Sequence, residues 1–289
     1  MERIIDSINK LFNIKNETSA TIMITLGVFI LGFILTGLVN VFRSYFNRQS
    51  IRRLFSDLLL EVSRTALKQS ENFKVFAGNL NIEYKDVFKL NKTPINHLDN
   101  LSKLSINEFH KAYFTGFENT FKRKIRQKAF NKTWIHISSL SFWEQRQHAE
   151  LKEFITKFNS YEDKRNEELE AWRKISDQLI YMVQQQGVEG RLKEYFTKYD
   201  KIVYGWQSAG QNTHYFVVQR DLIEPLRVLN REYKELPFVL TLTNPLLGVT
   251  NYYENLVGLL NVTQRAYYSY YRSYRNSGRL IAVAREFLK

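Results

Sequence analysis

Cysteine is absent from all 289 residues, which excludes disulfides, thiolate metal sites and cysteine nucleophiles without identifying a redox compartment. Proline occurs four times and glycine twelve times. No long Gly-, Ser- or Pro-rich stretch divides the chain, and no internal repeat of convincing period is present, so linkers and solenoids are not indicated. A chain so poor in helix breakers is expected to be all-α.

A third shortage is local. From Thr21 to Phe42, "TIMITLGVFILGFILTGLVNVF" carries no charged residue. At about 1.5 Å per residue that run reaches roughly 33 Å as a helix, enough to cross the hydrocarbon core of a bilayer. A secretory signal would have a shorter apolar region, a basic start and a small-residue cleavage site, and none of these follows here. The segment reads as one retained transmembrane helix. Lys10 and Lys15, offset by Asp6 and Glu17, flank its amino-terminal side, whereas Arg43, Arg48, Arg52 and Arg53 crowd the other. The positive-inside bias then places the carboxyl-terminal side in the cytoplasm, at the cell membrane.

The formal net charge of +13 lies entirely beyond this segment: residues 43–136 carry +10 and residues 137–289 carry +3. A basic membrane-proximal end suits an anionic lipid leaflet, which attracts each nearby cation by about 1 kcal/mol. Nucleic acid is attracted by the same field and is the lesser expectation.

Four regions are read from the pattern. Residues 1–20 form a short amphipathic segment with Ile4, Ile5, Ile8, Leu11 and Phe12 on one face. Residues 21–42 are the membrane helix. Residues 43–187 form a basic helical region with coiled-coil-like packing, and residues 188–289 a helical region packing on the same bundle. Arg43 to Ala77 continues the membrane helix, with Ile51, Phe55, Leu58 and Val62 at helical steps and Gly78 as a stop. "TPIN" from Thr93 reads as a cap with Pro at the first helical position. "SINE" from Ser105 is a capping box opening a stripe of Phe109, Tyr113, Phe117, Phe121 and Ile125. A second box, "SFWE" from Ser141, opens a long helix whose seam runs Leu151, Phe154, Phe158, Tyr161, Trp172, Ile175, Leu179 and Met182, interrupted by Arg165 and Glu168. "QQQGVEG" at 184–190 is a turn. In Lys201 to Gln219 β-branched and aromatic residues flank a glycine-containing turn, a pattern that admits a small hairpin. "LTNPLLG" at 242–248 reads as a connection, and a final helix from Asn251 carries Tyr253, Leu256, Leu260, Tyr267, Tyr271, Tyr274 and Ile281 near one face.

Catalytic, cofactor-binding and metal motifs are not found. "GWQSAGQN" at 205–212 spaces its glycines like a phosphate loop, but Gln211 and Asn212 stand where Lys and a hydroxyl are required. His97, His110, His136, His148 and His214 show no paired metal spacing, and Glu144 with His148 makes only a surface pair. No nucleophile elbow is present. Two surfaces have a binding character. The run of Lys122, Arg123, Lys124, Arg126, Lys128 and Lys132 suits lipid headgroups before nucleic-acid phosphates. "RAYYSYYRSYR" interleaves tyrosine with arginine; packing accounts for part of it, and Tyr268, Tyr270, Arg272 and Arg275 are left as a partner surface. The partner protein is not identified by the sequence. Gly32 and Thr36 offer a small-residue pair for self-association, although Gly27, Gly32 and Gly37 rotate off a shared face.

The sequence thus describes a membrane-anchored scaffold, adaptor, sensor or assembly component. A tethered nucleic-acid binder and an oligomerising membrane effector in defence or stress are the alternatives.

Overall fold

A computed structural model describes residues 7, 10, 16–82, 88–95, 98, 101, 106–115, 123–186, 189–208 and 214–288. The fold is helical, at 93% helix, with no strand among the described residues. The helices are α1 (Asn16–Asn79), α2 (Ile106–Phe114), α3 (Arg123–Gln186), α4 (Gly190–Ser208), α5 (Tyr215–Val218), which runs through a π-helical segment (Gln219–Ile223) into α6 (Glu224–Glu232), and α7 (Pro237–Leu288). Of the amphipathic amino-terminal segment, residues 1–6, 8–9 and 11–15 lie outside the described residues.

The chain divides into two compact units. The first contains residues 1–61, 99–134 and 281–289. Its core is aromatic: the Phe55 ring lies 4.5 Å from that of Phe109, 5.9 Å from Tyr113 and Phe130, and 6.1 Å from Trp134. Offset and edge contacts at these separations add to area burial. Polar bonds fix the surrounding backbone. Arg52 Nε donates to the Ala112 carbonyl at 2.8 Å, and Arg285 Nε donates to that of Ser56 at 2.8 Å.

The second unit contains residues 62–98 and 135–280. Phe73 contacts Tyr267, Tyr270 and Tyr274, three positions that recur on one face of α7. Where α1 meets α7, a Cβ built on Gly278 would lie 3.1 Å from the Ser63 carbonyl oxygen and from Leu67 Cγ, so glycine permits this approach. Ser63 Oγ closes it by donating to the Gly278 carbonyl at 2.8 Å. A further core gathers Trp172 of α3, Tyr195 and Tyr199 of α4, Leu222, Leu226 and Leu229 from the π-helical segment and α6, and Leu242 and Leu246 of α7.

Several local expectations are corrected. The 201–219 hairpin is not formed: α4 continues to Ser208, α5 starts at Tyr215, and Trp206, Val218 and Leu222 enter one helical core. Ser141 starts no helix, because α3 runs through it with Ile137 and Leu140 already buried. Thr93 is not a cap, since residues 88–95 are not helical. Its N–H instead donates to Gln69 Oε1 at 2.6 Å, and its hydroxyl accepts from Asn72 at 3.0 Å. Residues 242–248 are helix with Pro245 inside it; the carbonyl deprived of its donor belongs to Thr241, an exposed residue. Of the turn expected at 184–190, residues 187–188 lie outside the described residues; α3 ends at Gln186 and α4 begins at Gly190, which adopts the left-handed φ of 60°.

Candidate membrane and partner surfaces

The first half of α1 is apolar on every side. Within the window that passes for a membrane span, nothing is buried, and its mean hydropathy is 2.6. From Ile22 to Phe42 the large aliphatic and aromatic side chains other than the half-buried Met23, including Ile24, Phe29, Phe33, Leu38 and Val41, are 44% to 75% exposed. A soluble core helix hides one such face, whereas this one hides none. Gly27, Gly32 and Gly37 have no neighbouring side chain within 4 Å, and Thr36 Oγ1 turns inward to the Gly32 carbonyl at 2.7 Å.

The four arginines after this run separate into two kinds. Arg43 and Arg53 are exposed and Arg48 is half-buried. Arg52 is only 8% exposed; besides bonding Ala112, it lies 5.7 Å from the Tyr113 ring centroid. It is a buried structural cation, not a headgroup contact. Tyr45 and Phe46, an edge-on aromatic pair with ring centroids 5.8 Å apart, sit among the exposed arginines. Such rings suit the headgroup level of a bilayer.

The second basic run divides in the same way. Arg123, Lys124, Lys128 and Lys132 are exposed on the first turns of α3, and Arg126 is 8% exposed. Lys122 lies outside the described residues. Arg126 and Arg52 both lower the Tyr113 pKa, but burial outweighs them and pushes it up to about 12. The expected stripe also breaks. Phe109 and Tyr113 are buried, the residues of 116–122 lie outside the described ones, and Ile125 is exposed.

In the tyrosine-rich run, Tyr268 is 37% exposed and Arg272 is exposed. Tyr270 belongs to the core at 3% exposure, and its hydroxyl donates to Glu150 Oε2 at 2.6 Å. Burial first and Glu150 second hold its pKa well above the ordinary value. Arg275 is half-buried, donating to the Tyr271 hydroxyl and lying 5.5 Å from its ring centroid. The Tyr–Arg segment is therefore chiefly packing, with Tyr268 and Arg272 remaining outside.

Arg165, which the seam reads as an interruption, is instead swallowed by the second unit. Its guanidinium lies 4.5 Å from the centroid of Tyr215, an approach suited to cation–π attraction. Burial lowers its pKa to about 10 against the opposing pull of Glu162. Glu168 stands over Gly248, where a Cβ would lie 2.6 Å from its Cδ.

A further cationic row lies at α6. Arg227 and Arg231 of α6, with Lys234 in the following turn, line a groove of about 270 Å³. Asn230, Val239, Leu240, Thr243 and Leu247 complete it. Pro225 and Pro237 read in the sequence as bounding a short helix, and α6 starts beside the first and ends before the second; spacings of four and three residues place Arg227, Arg231 and Lys234 on one side of it.

Among the described residues no group of three or more His, Asp or Glu is placed to hold a metal ion. No family model, curated protein or solved structure matches the chain.

Proposed function

We propose that this chain is a single-pass membrane protein whose helical part faces the cytoplasm and acts by binding another protein, as a scaffold, adaptor, sensor or assembly component. The observation that carries the reading is the all-round exposure of α1 from Ile22 to Phe42. Leaving so many large aliphatic and aromatic side chains in water costs on the order of tens of kcal/mol, which a bilayer removes. Arg43, Arg48 and Arg53, with Tyr45 and Phe46, then occupy the anionic cytoplasmic headgroup layer. Lys124, Lys128 and Lys132 offer further exposed positive charge.

A nucleic-acid role is less well supported. Tyr267, Tyr270 and Tyr274 are committed to the core and are not free to stack on bases. Co-purification from gently solubilised membranes tests the binding role: a retained protein partner is expected, and a lone chain in several mild detergents would oppose it.

A further inference from the structure

The groove between α6 and the start of α7 has walls of two different chemistries. Arg227, Arg231 and Lys234 form one wall, and Leu240 and Leu247, both exposed, form the other. No carboxylate lines it among the described residues. Two acidic residues beside the row are drawn elsewhere: Glu232 pairs with Lys198 at 2.7 Å and Glu235 with Arg191 at 3.1 Å, both partners lying on α4. The floor is already satisfied. Asn230 Oδ1 accepts from the Tyr195 hydroxyl at 2.9 Å and Asn230 Nδ2 donates to Thr243 at 3.1 Å. Recognition therefore falls to the cations and the leucines.

The dimensions select the occupant. Leu240 to Leu247 covers two turns of α7, about 10 Å; Arg227 and Arg231 lie one turn apart on α6, and Lys234 extends the basic row in the turn beyond its end. A single phosphate or carboxylate is too short to engage the whole basic row, and it leaves the leucines uncovered. An amphipathic helix with carboxylates in one stripe and aliphatic side chains in the next matches both rows at three- and four-residue spacing. We propose that this groove docks an acidic amphipathic helix of a partner protein. The inference rests on the partner-binding reading above and names the chemistry of that partner.

The test uses the full chain in zwitterionic nanodiscs and a fluorescein-labelled designed helical peptide bearing adjacent Glu and Leu stripes, followed by anisotropy. Saturable binding is expected, weakening with salt and falling about tenfold in Arg231→Glu/Lys234→Glu, because opposed charges at an interface are repelled. Both residues are exposed, and far-UV circular dichroism of the variant checks its helicity. A Lys/Leu peptide should recover binding to the charge-reversed variant, an exchange that mere loss of folding would not produce. Leu247→Gln should also weaken the acidic peptide. Equal binding of a peptide with its stripes scrambled, of polyglutamate, or of RNA or anionic vesicles through the same residues would overturn the proposal. So would indifference to both substitutions. If the charge-reversed chain still co-purifies its native partner, the groove assignment fails while the binding role stands.

Discussion

Gly278 and Gly258 both lie inside α7, yet replacing them should act in opposite directions. Around Gly258 nothing lies within 4 Å, so Gly258→Ala should add about 0.5–1 kcal/mol of stability by helix propensity. At Gly278 any larger side chain meets a backbone oxygen at 3.1 Å, and Gly278→Val should lose about 1–3 kcal/mol through overpacking. Thermal melts in one detergent compare the pair directly. Tyrosine ionisation gives a second residue-scale prediction. Burial raises the pKa values of Tyr113, Tyr195, Tyr199, Tyr267, Tyr270 and Tyr274. A raised folded pKa favours the protonated form, so this stability is complete below the ordinary value of 10.0 and is lost as pH rises beyond it. The share of phenolate absorbance due to these six tyrosines should therefore appear together with loss of helical ellipticity above about pH 10. Tyrosine ionisation completed well before unfolding would contradict these burials.

At the scale of elements, the sequence patterns separate into those set locally and those decided by packing. The apolar run at Thr21–Phe42, the helical steps from Ile51 onward and the turn before Gly190 are local signals, and each has its counterpart in α1 or at the α3–α4 junction. The hairpin reading of 201–219 fails because Tyr199, Ile202, Val203 and Trp206 follow helical spacing, and burial against α6 and α7 outweighs the strand preference of the β-branched and aromatic residues. The capping signature at Ser141 is overridden by the buried neighbours Ile137 and Leu140. The candidate site residues divide along the same line. Arg43 and Lys128 remained outside, but Arg52, Arg126 and Tyr270 were drawn in by neighbours that sequence spacing does not reveal. For α1 itself, Ile30→Lys with Phe33→Lys should shift the chain from the membrane to the soluble fraction. Each lysine near a bilayer centre opposes insertion by about 2.5–3.5 kcal/mol, and cell fractionation reads the change.

The whole molecule contains one uncovered apolar helix and two helical units, and its net positive charge is concentrated in residues 43–136. The proposed orientation makes residues 43–289 resistant to protease added outside sealed cells and sensitive once the membrane is opened; cleavage from outside would reverse the topology. The most direct trial of the central claim is flotation of the full, detergent-free chain with zwitterionic liposomes through a density gradient at high salt, where electrostatic adsorption is screened. The chain should rise with the lipid. A folded, water-soluble protein that stays at the bottom of the gradient would contradict the membrane anchor.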